Sequence, residues 1–507
     1  MNDRITNYIH FHPIRTQRGL EILTGLIPWS IILFPLVGSF FIPEAVAYFI
    51  ITFNVYWLYR SLQMAVYATS GYLNIKATTK INWLEELAKN SQTKNKYQDI
   101  LHVILICNYK EITSIVERNL DSLLKQSFPK KNLYIVLALE EREGEAARER
   151  SLTLTDKYQD KFGLFISTFH ELTPSETGGK HSNETFAAKV IKKKLSDEKG
   201  IPIENIIVTS SDADAVFPQE YFSLLTYKFL TDENCFQDFF QAPILLYNNI
   251  HRVPLLVRVP SIIGGIYYLS ILHKASKRFV NYSTYSTSLK LLDEVGYWDV
   301  DVIPEDAHIY FKSYFHFYGK VNVVPLYSPI LIDAVESNTK LATLKNSYQQ
   351  NKRWAWGAVD IPYVIKNFFL HPEISFWDKL IKLSFALEWH FVWSSFWFLL
   401  TIGANIPTFF NPAFARTSLG LNLSRISSSI LTLGLIGFLV IMIIDALLNP
   451  HYKSKVKHFL HPITYLQWLI LPITGFFFGS LPGLESQTRL MLGKYLEYRV
   501  TEKVTKK

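Results

Sequence analysis

The stretch IIVTSSDAD at residues 206–214 predicts both the fold and the position of a site. Its first half is a short apolar run typical of a buried strand, and Asp212 and Asp214 follow where that strand ends. Ligands bind beyond the carboxyl ends of strands in parallel sheets, and two carboxylates there can hold a divalent cation with a diphosphate. A capped turn before the next helix is the alternative, since Asp-x-Asp also occurs at Asp299 and Asp301.

Similar apolar runs on both sides extend this strand into a sheet. Residues 101–107 (LHVILIC), 133–139 (LYIVLAL) and 164–169 predict further strands, whereas 112–126 and 182–195 have the spacing of helices. Strands that alternate with helices indicate a mostly parallel α/β sheet with right-handed crossovers.

The composition excludes several classes of protein. The chain has 507 residues, of which 49% are hydrophobic and 19% charged, below the roughly 25% of soluble domains. Such a chain is neither disordered nor collagenous, and two cysteines cannot form a disulfide framework. The net charge is +8, but the chain has no nucleic-acid-binding motif, so we expect no nucleic-acid partner. We assign the excess of basic residues to the cytosolic flanks of the membrane segments.

Long apolar segments predict an integral, multi-pass membrane protein of the plasma or inner membrane. Residues 22–59 carry one charge, Glu44, which predicts two spans joined at Pro43 and Glu44, with both basic ends cytosolic. Residues 451–458 and the C-terminal tail are both basic, so both are expected on the cytosolic side, which is impossible if the segment between them crosses the membrane once. The side of the membrane on which the tail lies therefore stays open. Three more apolar segments raise the expected total to four to six spans: 385–404, 427–448 and 459–481.

These segments divide the chain into four predicted regions. Two shorter segments belong at the membrane surface: 259–272 is too short to span, and 361–380 has the composition of an interfacial helix. Unpaired thiols suit a cytosolic central region. The regions are an N-terminal tail and hairpin (1–70), a cytosolic domain (71–371), an interfacial helix with the C-terminal membrane region (372–482) and a basic amphipathic tail (483–507).

Two motifs carry charges at predicted helix starts. The segment GGKHSN at 178–183 allows close backbone approach and lets Lys180 reach a phosphate, with an ordinary N-cap at Ser182 as the alternative. Glu305 and Asp306 also precede a helical segment. A carboxylate there can accept a proton from an attacking hydroxyl, or simply offset the helix dipole.

A third motif lies at residues 350–354, QNKRW. If this segment is helical, Gln350, Arg353 and Trp354 share one face. Arg353 can neutralise a leaving diphosphate. Trp354 can form a wall for a sugar ring or pack in the core.

In order and spacing, these motifs resemble the membrane-embedded family-two glycosyltransferases, the group that holds cellulose, chitin and hyaluronan synthases. The resemblance covers about residues 101–357 and extends to the membrane layout. Pro304 stands where the family has threonine, and Glu140 with Glu141 stands where it has an acidic pair after the second strand. The matching residues are Asn108 and Glu111, Lys180 and Asn183, Asp212 and Asp214, Gly296 through Asp299, Glu305 and Asp306, and Gln350, Arg353 and Trp354.

The resemblance implies a GT-A-like cytosolic domain that transfers a sugar, with inversion, from a nucleotide-diphosphate sugar, a UDP-sugar first of all. It implies Asp306 as the general base, supported by Glu305, and Mg²⁺ or Mn²⁺ held by Asp212 and Asp214. The implied donor and acceptor residues are Asn108, Glu111, Glu140, Lys180, Asn183 and Asp212 for the donor, and Gln350, Arg353 and Trp354 for the diphosphate and the acceptor.

Three hypotheses about the function remain open at this point. The complete Gln350, Arg353 and Trp354 motif favours extension of a growing polysaccharide, with export or assembly subunits as partners. The small membrane part favours a single addition to a lipid acceptor in the bilayer. A silent membrane subunit of a polysaccharide assembly is disfavoured by the intact acidic motifs.

Overall fold

In a computed structural model, the described residues are 2–273, 280–450 and 466–496. Within them a seven-stranded sheet has the order β3-β2-β1-β4-β7-β5-β8, and β6 pairs with β9 in a small second sheet. The strands are β1 Leu101–Asn108, β2 Leu133–Glu140, β3 Leu164–His170, β4 Ile206–Asp212, β5 Phe239–Gln241, β6 Ile244–Leu245, β7 Tyr285–Ser288, β8 Val323–Pro325 and β9 Ile330–Leu331.

The first four strands form a parallel half-sheet that is covered on both faces. In β1, Ile104 and Ile106 pack into one hydrophobic core, whereas Val103 and Leu105 pack into the other. A strand buried on both faces is apolar without alternation, as the run in β1 is. The predicted mostly parallel α/β sheet is therefore confirmed, with β7 antiparallel to β4 and β5.

The strand register brings the carboxyl ends of β1, β2 and β4 to one edge. Cys107 is opposite Asp212, and Asn108 is opposite Leu139, the residue before Glu140. Since β4 extends to Asp212, this carboxylate ends the strand itself. Side chains that are far apart in sequence thus meet at this edge.

Helices cover the sheet and continue beyond it. The helices before and within the sheet region are α1 Asn2–Phe11, α2 Pro13–Phe41, α3 Pro43–Thr78, α4 Trp83–Lys89, α5 Thr113–Leu124, α6 Glu145–Tyr158, α7 Lys180–Lys192, α8 Tyr221–Thr231, α9 Leu255–Ile271, α10 Leu289–Val295 and α11 Glu305–His316. Those that follow are α12 Lys340–Ala355, α13 Asp360–Leu370, α14 Phe376–Ile402, α15 Ile406–Phe410, α16 Pro412–Ala415, α17 Ser418–Leu448, α18 Leu471–Thr474 and α19 Leu481–Met491.

Three helices among the described residues are long and apolar enough to cross a membrane: Pro13–Phe41, Ser418–Leu448 and Gln467–Met491. Three is fewer than the four to six spans expected from the sequence. The long helices α3 and α14 are not among them. Polar side chains such as Asn54, Arg60 and Glu388 interrupt their apolar residues.

Helices cross or divide some of the predicted segments, and the region boundaries themselves stay predictions. The helix α3 continues through the boundary predicted at residue 70. The single interfacial helix predicted at 361–380 is wrong, because α13 ends at Leu370 and α14 begins at Phe376. Pro372 disfavours a helical conformation for the residue before it, which separates the two. The 451–458 loop, the start of the 459–481 segment and the end of the tail from residue 497 lie outside the described residues.

Close contacts join the apolar helices to each other and to the sheet region. A Cβ at Gly437 in α17 would lie 2.7 Å from the carbonyl oxygen of Ser61 in α3, so glycine permits this close approach. The buried Tyr247 hydroxyl donates a 2.9 Å hydrogen bond to Asp445 near the end of α17. This end of α17 therefore lies against the sheet region.

Candidate functional site

Lys180, at the start of α7, lies at the centre of an acidic cluster. Its Nζ is 3.0 Å from Oδ1 of Asp212, 3.5 Å from Oε1 of Glu305 and 3.8 Å from Oε1 of Glu184. It also donates a 2.6 Å hydrogen bond to the carbonyl oxygen of Ser283. The structure thus brings together Lys180, Asp212 and Glu305, which three separate motifs predicted. Glu184 was missed, although its position four residues after Lys180 places it on the same helix face.

The charges of this cluster determine its protonation. Burial lowers the pKa of Lys180, but Asp212, Glu184 and Glu305 outweigh burial and hold that pKa well above its ordinary value. Burial raises the pKa of Glu305, and its acidic neighbours Asp306 and Glu184 add to the effect of burial while Lys180 opposes it. One ammonium group faces three carboxylates, so the cluster favours additional positive charge or bound protons.

Ser283 connects this cluster to Asp306. Its backbone N–H donates a 2.8 Å hydrogen bond to Oδ2 of Asp306, and its hydroxyl donates to Oδ2 of Asp212. Its φ of 57° lies in the left-handed region, which is uncommon for serine. A strained residue in contact with two candidate site carboxylates marks a constrained position. No motif in the sequence indicated it.

Asp306 lies in the first turn of α11. Its Oδ1 accepts a 2.8 Å hydrogen bond from the N–H of Ala307, and its carbonyl oxygen accepts one of 2.6 Å from Asn281. The helix dipole favours a carboxylate at this end. Two backbone donors thus fix the orientation of the predicted base.

His308, two residues after Asp306 in α11, is held between two carboxylates. Nδ1 lies 2.5 Å from Asp360 and Nε2 lies 3.0 Å from Asp299, which also contacts Lys312. Burial lowers the pKa of His308, but Asp360 and Asp299 outweigh burial and raise it to about 9. Despite burial, His308 and Lys312 lower the pKa of Asp299 to about 2. The turn that carries Asp306 is therefore fastened by a charged imidazolium.

Two asparagines present polar atoms that can bind a ligand. Asn108 is only 1% exposed, and neither side-chain amide atom has a hydrogen-bond partner among the described residues. Asn183 donates a 2.7 Å hydrogen bond to the carbonyl oxygen of Ala138, while its Oδ1 has no partner in the described part of the chain. Buried polar groups are normally paired, so a ligand can supply these partners.

Glu140 is engaged by a residue that sequence reasoning missed. Nε of Arg142 contacts Glu140 at 2.5 Å, and the guanidinium lies 4.3 Å from the centre of the Tyr109 ring. Burial raises the pKa of Glu140 and Arg142 partly offsets this effect. A Cβ at Gly178 would lie 2.6 Å from Nη1 of Arg142, so the backbone at Gly178 packs directly against the guanidinium.

Glu111, another predicted donor residue, is half-buried in the turn after β1.

The two aspartates of the Asp-x-Asp motif face different partners. Asp214 is buried, and its Oδ2 accepts a 2.9 Å hydrogen bond from the N–H of Asp333. The side chain of Asp212 is 28% exposed. No group of three potential metal ligands occurs among the described residues. A cation bound through substrate phosphates needs only one or two carboxylates, so Asp212 fits that role. The metal roles of Asp212 and Asp214 both stay predictions.

The Gln350, Arg353 and Trp354 motif lies on α12, as predicted for a helix. Lys352 contacts Glu485 at 3.0 Å and fastens α12 to α19. Trp354 is exposed and lines a cavity of about 1080 Å³ between the long helices. Gln350 and Arg353 are half-buried on the same helix, and their contact with a diphosphate stays a prediction.

Comparisons with known proteins extend over this site. A family model described as glycosyl transferase family group 2 matches residues 207–481. The chain is similar to the solved structure of mannosyltransferase PcManGT from Pyrobaculum calidifontis in complex with GDP-Man and Mn²⁺, at 12% identity and a TM-score of 0.40, covering 74% of this chain and 99% of that one.

A second solved structure is S. aureus TarS 1-349 in complex with UDP-GlcNAc, at 14% identity and a TM-score of 0.38. That match covers 79% of this chain and 93% of the other. A search of curated proteins finds no match.

Proposed function

This chain belongs to group 2 of the glycosyl transferases, and on that premise we propose an inverting transfer of a sugar from a nucleotide-diphosphate sugar to an acceptor hydroxyl at the membrane. The observation that carries the proposal is the cluster in which Lys180 contacts Asp212 and Glu305 while Ser283 links Asp212 to Asp306. A donor-binding carboxylate and a candidate base are thereby held in one site.

The proposed step is a single displacement. The carboxylate of Asp306 takes the proton of the acceptor hydroxyl as the acceptor oxygen bonds to the anomeric carbon of the donor. The bond from that carbon to the diphosphate oxygen breaks, and the nucleoside diphosphate leaves. Attack opposite the leaving group inverts the anomeric configuration. General base catalysis contributes roughly 10²–10⁴ to the rate.

The leaving diphosphate needs positive charge, which Lys180 supplies at 3.0 Å from Asp212. We propose that Asp212, with Asp214 as a second candidate, holds Mg²⁺ or Mn²⁺ together with the donor phosphates. When bound, such an ion neutralises charge on the leaving group. Gln350, Arg353 and Trp354 are proposed to hold the diphosphate and the acceptor. Glu305, close to both Lys180 and Asp306, supports the base.

The donor base and ribose are assigned to the carboxyl edge of the sheet. Asn108 and Asn183 offer buried amide atoms there. Glu140, held by Arg142, and Glu111 complete the proposed donor residues, and a UDP-sugar is the first donor to test. The three apolar helices support a membrane location. Arg4 before α2 and Arg15 and Arg18 in its first turns support a cytosolic sheet domain.

Two acceptors are compatible with this reaction: a growing polysaccharide, which is extended repeatedly, and a lipid, which receives a single sugar. The complete motif on α12 and the exposed Trp354 support extension of a growing polysaccharide. The large cavity beside that motif supports a single addition to a lipid.

Purified full-length protein in nanodiscs, given Mn²⁺ and a panel of radiolabelled UDP- and GDP-sugars, tests the proposed function. Release of nucleoside diphosphate from at least one donor is expected. A folded protein that neither binds nor cleaves any donor would contradict the proposed function.

A further inference from the structure

The cavity beside α12 is enclosed mainly by apolar and aromatic side chains. It lies between α3, α9, α14 and α17 and the segment from Trp468 to Gly479, and has a volume of about 1080 Å³. This volume slightly exceeds the range of about 300–1,000 Å³ for pockets that bury most of a small molecule. Lining residues that matter here are Arg60, Tyr268, Trp354, Glu388, Leu435 and Leu439.

One wall of the cavity lies next to the candidate base. The Tyr268 ring stacks on Tyr282 with centroids 4.2 Å apart, and Tyr282 precedes Ser283, whose N–H donates to Asp306. Burial raises the pKa of Tyr268, and the carboxylate of Asp306 adds to this effect. An acceptor in the cavity can therefore present a hydroxyl to Asp306.

The cavity extends far from that wall along apolar helix faces. On α14, the lining begins near Glu388 and continues through Val392 and Phe396 to Leu400. Twelve helical residues cover about 18 Å, the length of a long hydrocarbon chain. The row Val392, Phe396 and Leu400 offers no hydrogen-bonding group, whereas the neighbouring lining residues Trp389, Trp393, Trp397 and Thr401 offer one each.

The cavity also opens sideways through its apolar wall. Among the described residues that line it, Leu435 is 55% exposed, Leu439 is 56% exposed and Leu469 is 75% exposed. Leu435 and Leu439 belong to α17, the most hydrophobic candidate span. A glycan in such an opening would face hydrocarbon with unpaired hydroxyls, which is costly, whereas a lipid chain would not.

The charges around the cavity favour an uncharged head group. Arg60 lies 3.0 Å from Glu388, whose carboxylate also accepts a 2.6 Å hydrogen bond from Tyr56, so the guanidinium is already compensated. Arg60 is the only lysine or arginine among the described residues that line the cavity. A phosphate head group would therefore meet no unpaired cation there.

We propose that this cavity binds the acceptor, and that the acceptor is an uncharged lipid with a free hydroxyl, such as a diacylglycerol. This inference rests on the proposed function. The lipid hydroxyl gives its proton to Asp306, its oxygen bonds to the anomeric carbon of the donor, and the nucleoside diphosphate leaves. The products are a glycolipid and the nucleoside diphosphate.

The test uses the full-length protein in phosphatidylcholine nanodiscs with and without diacylglycerol, a labelled nucleotide-sugar panel and Mn²⁺. Gly264 lines the cavity, and a Cβ added there meets no atom within 4 Å. Gly264→Leu should fill the cavity and lower labelled glycolipid roughly tenfold or more by displacing the acceptor. Donor cleavage to water should be unchanged. Gly434→Leu should fill the same cavity from α17. Gly19→Leu is the control: a Cβ there also meets no atom within 4 Å, but Gly19 lies outside the cavity, so transfer should be unchanged.

Labelled glycolipid that depends on diacylglycerol and falls in the cavity-filling variants supports the inference. Label in a water-soluble polymer, transfer only to a polyprenyl phosphate, or full lipid transfer by folded Gly264→Leu and Gly434→Leu would overturn it. Donor cleavage without a lipid product refutes the lipid acceptor alone. Absence of any donor binding or cleavage refutes the proposed function itself.

Discussion

The backbone N–H of Ser283 donates a 2.8 Å hydrogen bond to the carboxylate of Asp306. The hydroxyl of the same serine donates to Asp212, at the end of β4. Ser283, in a left-handed conformation, therefore links Asp212, which is assigned to the donor, to Asp306, which is assigned to take the acceptor proton.

Asp306→Asn should lower transfer by roughly 10²–10⁴, because an amide cannot take the proton of the acceptor hydroxyl. Donor binding should change little. Asparagine has one acceptor oxygen and can keep only one of the two hydrogen bonds from Ser283 and Ala307, so the unfolding temperature should fall modestly. Steady-state transfer and donor titration measure the two effects. Asp301→Asn, an exposed acid nearby, is the matched control. Near-normal turnover by Asp306→Asn would remove Asp306 as the base.

Chelation should stop transfer, and Mn²⁺ or Mg²⁺ should restore it. Asp212→Asn should raise the metal concentration for half-maximal activity by about tenfold or more, because the substitution removes a charged oxygen ligand. Asp214→Asn, tested beside it, measures whether the buried second aspartate contributes. Activity that persists in excess chelator would contradict the metal role.

Lys180→Gln should destabilise the fold by about 3–5 kcal/mol at neutral pH, because three carboxylates lose their shared cation. The deficit should shrink as the pH falls. Burial raises the pKa of Glu305 and raises that of Glu184 to about 7, so both bind protons readily. Denaturant unfolding at mildly acidic and mildly alkaline pH measures this difference. Lys193→Gln, exposed just beyond α7, should show neither effect; an equal deficit at both pH values would count against the cluster.

His308 should make stability depend on pH. Because the pKa of His308 is raised in the folded state, the stabilisation from its charge is complete below its unfolded value of about 6.5 and is lost as the pH rises through about 9. The shift corresponds to at most about 3 kcal/mol. His308→Gln should remove most of this slope in unfolding temperature. His316→Gln, exposed on the same helix, should retain the slope, and an unchanged slope in His308→Gln would refute this assignment.

The sheet was predicted from apolar runs in the sequence, and the family from the order and spacing of its motifs. The strands β1, β2 and β4 are continuous apolar runs, so the α/β fold was predicted with boundaries wrong by only a few residues. The GT-A-like fold class and the glycosyltransferase activity, expected from the resemblance, are confirmed by the family match. The inverting mechanism, the metal and the individual site residues stay predictions.

The contacts that organise the site could not be read from spacing. Ser283 acts through a backbone conformation. Arg142 contacts Glu140 from the turn after β2, and its guanidinium lies where a side chain at position 178 would clash with it. The burial of Asp214 against Asp333 depends on a segment far along the chain. The bounds of the long helices α3 and α14 were harder to predict, because both contain charged residues among apolar ones. Arg60 of α3 and Glu388 of α14 form an ion pair in the wall of the cavity.

The central claim is a single displacement with Asp306 as the base, and the anomeric configuration of the product tests it most directly. Transfer from an α-linked nucleotide sugar, followed by NMR of the isolated product, should give a β-linkage. The same assay with Asp306→Asn should give little product of either configuration. A product that retains the α-configuration would contradict the account.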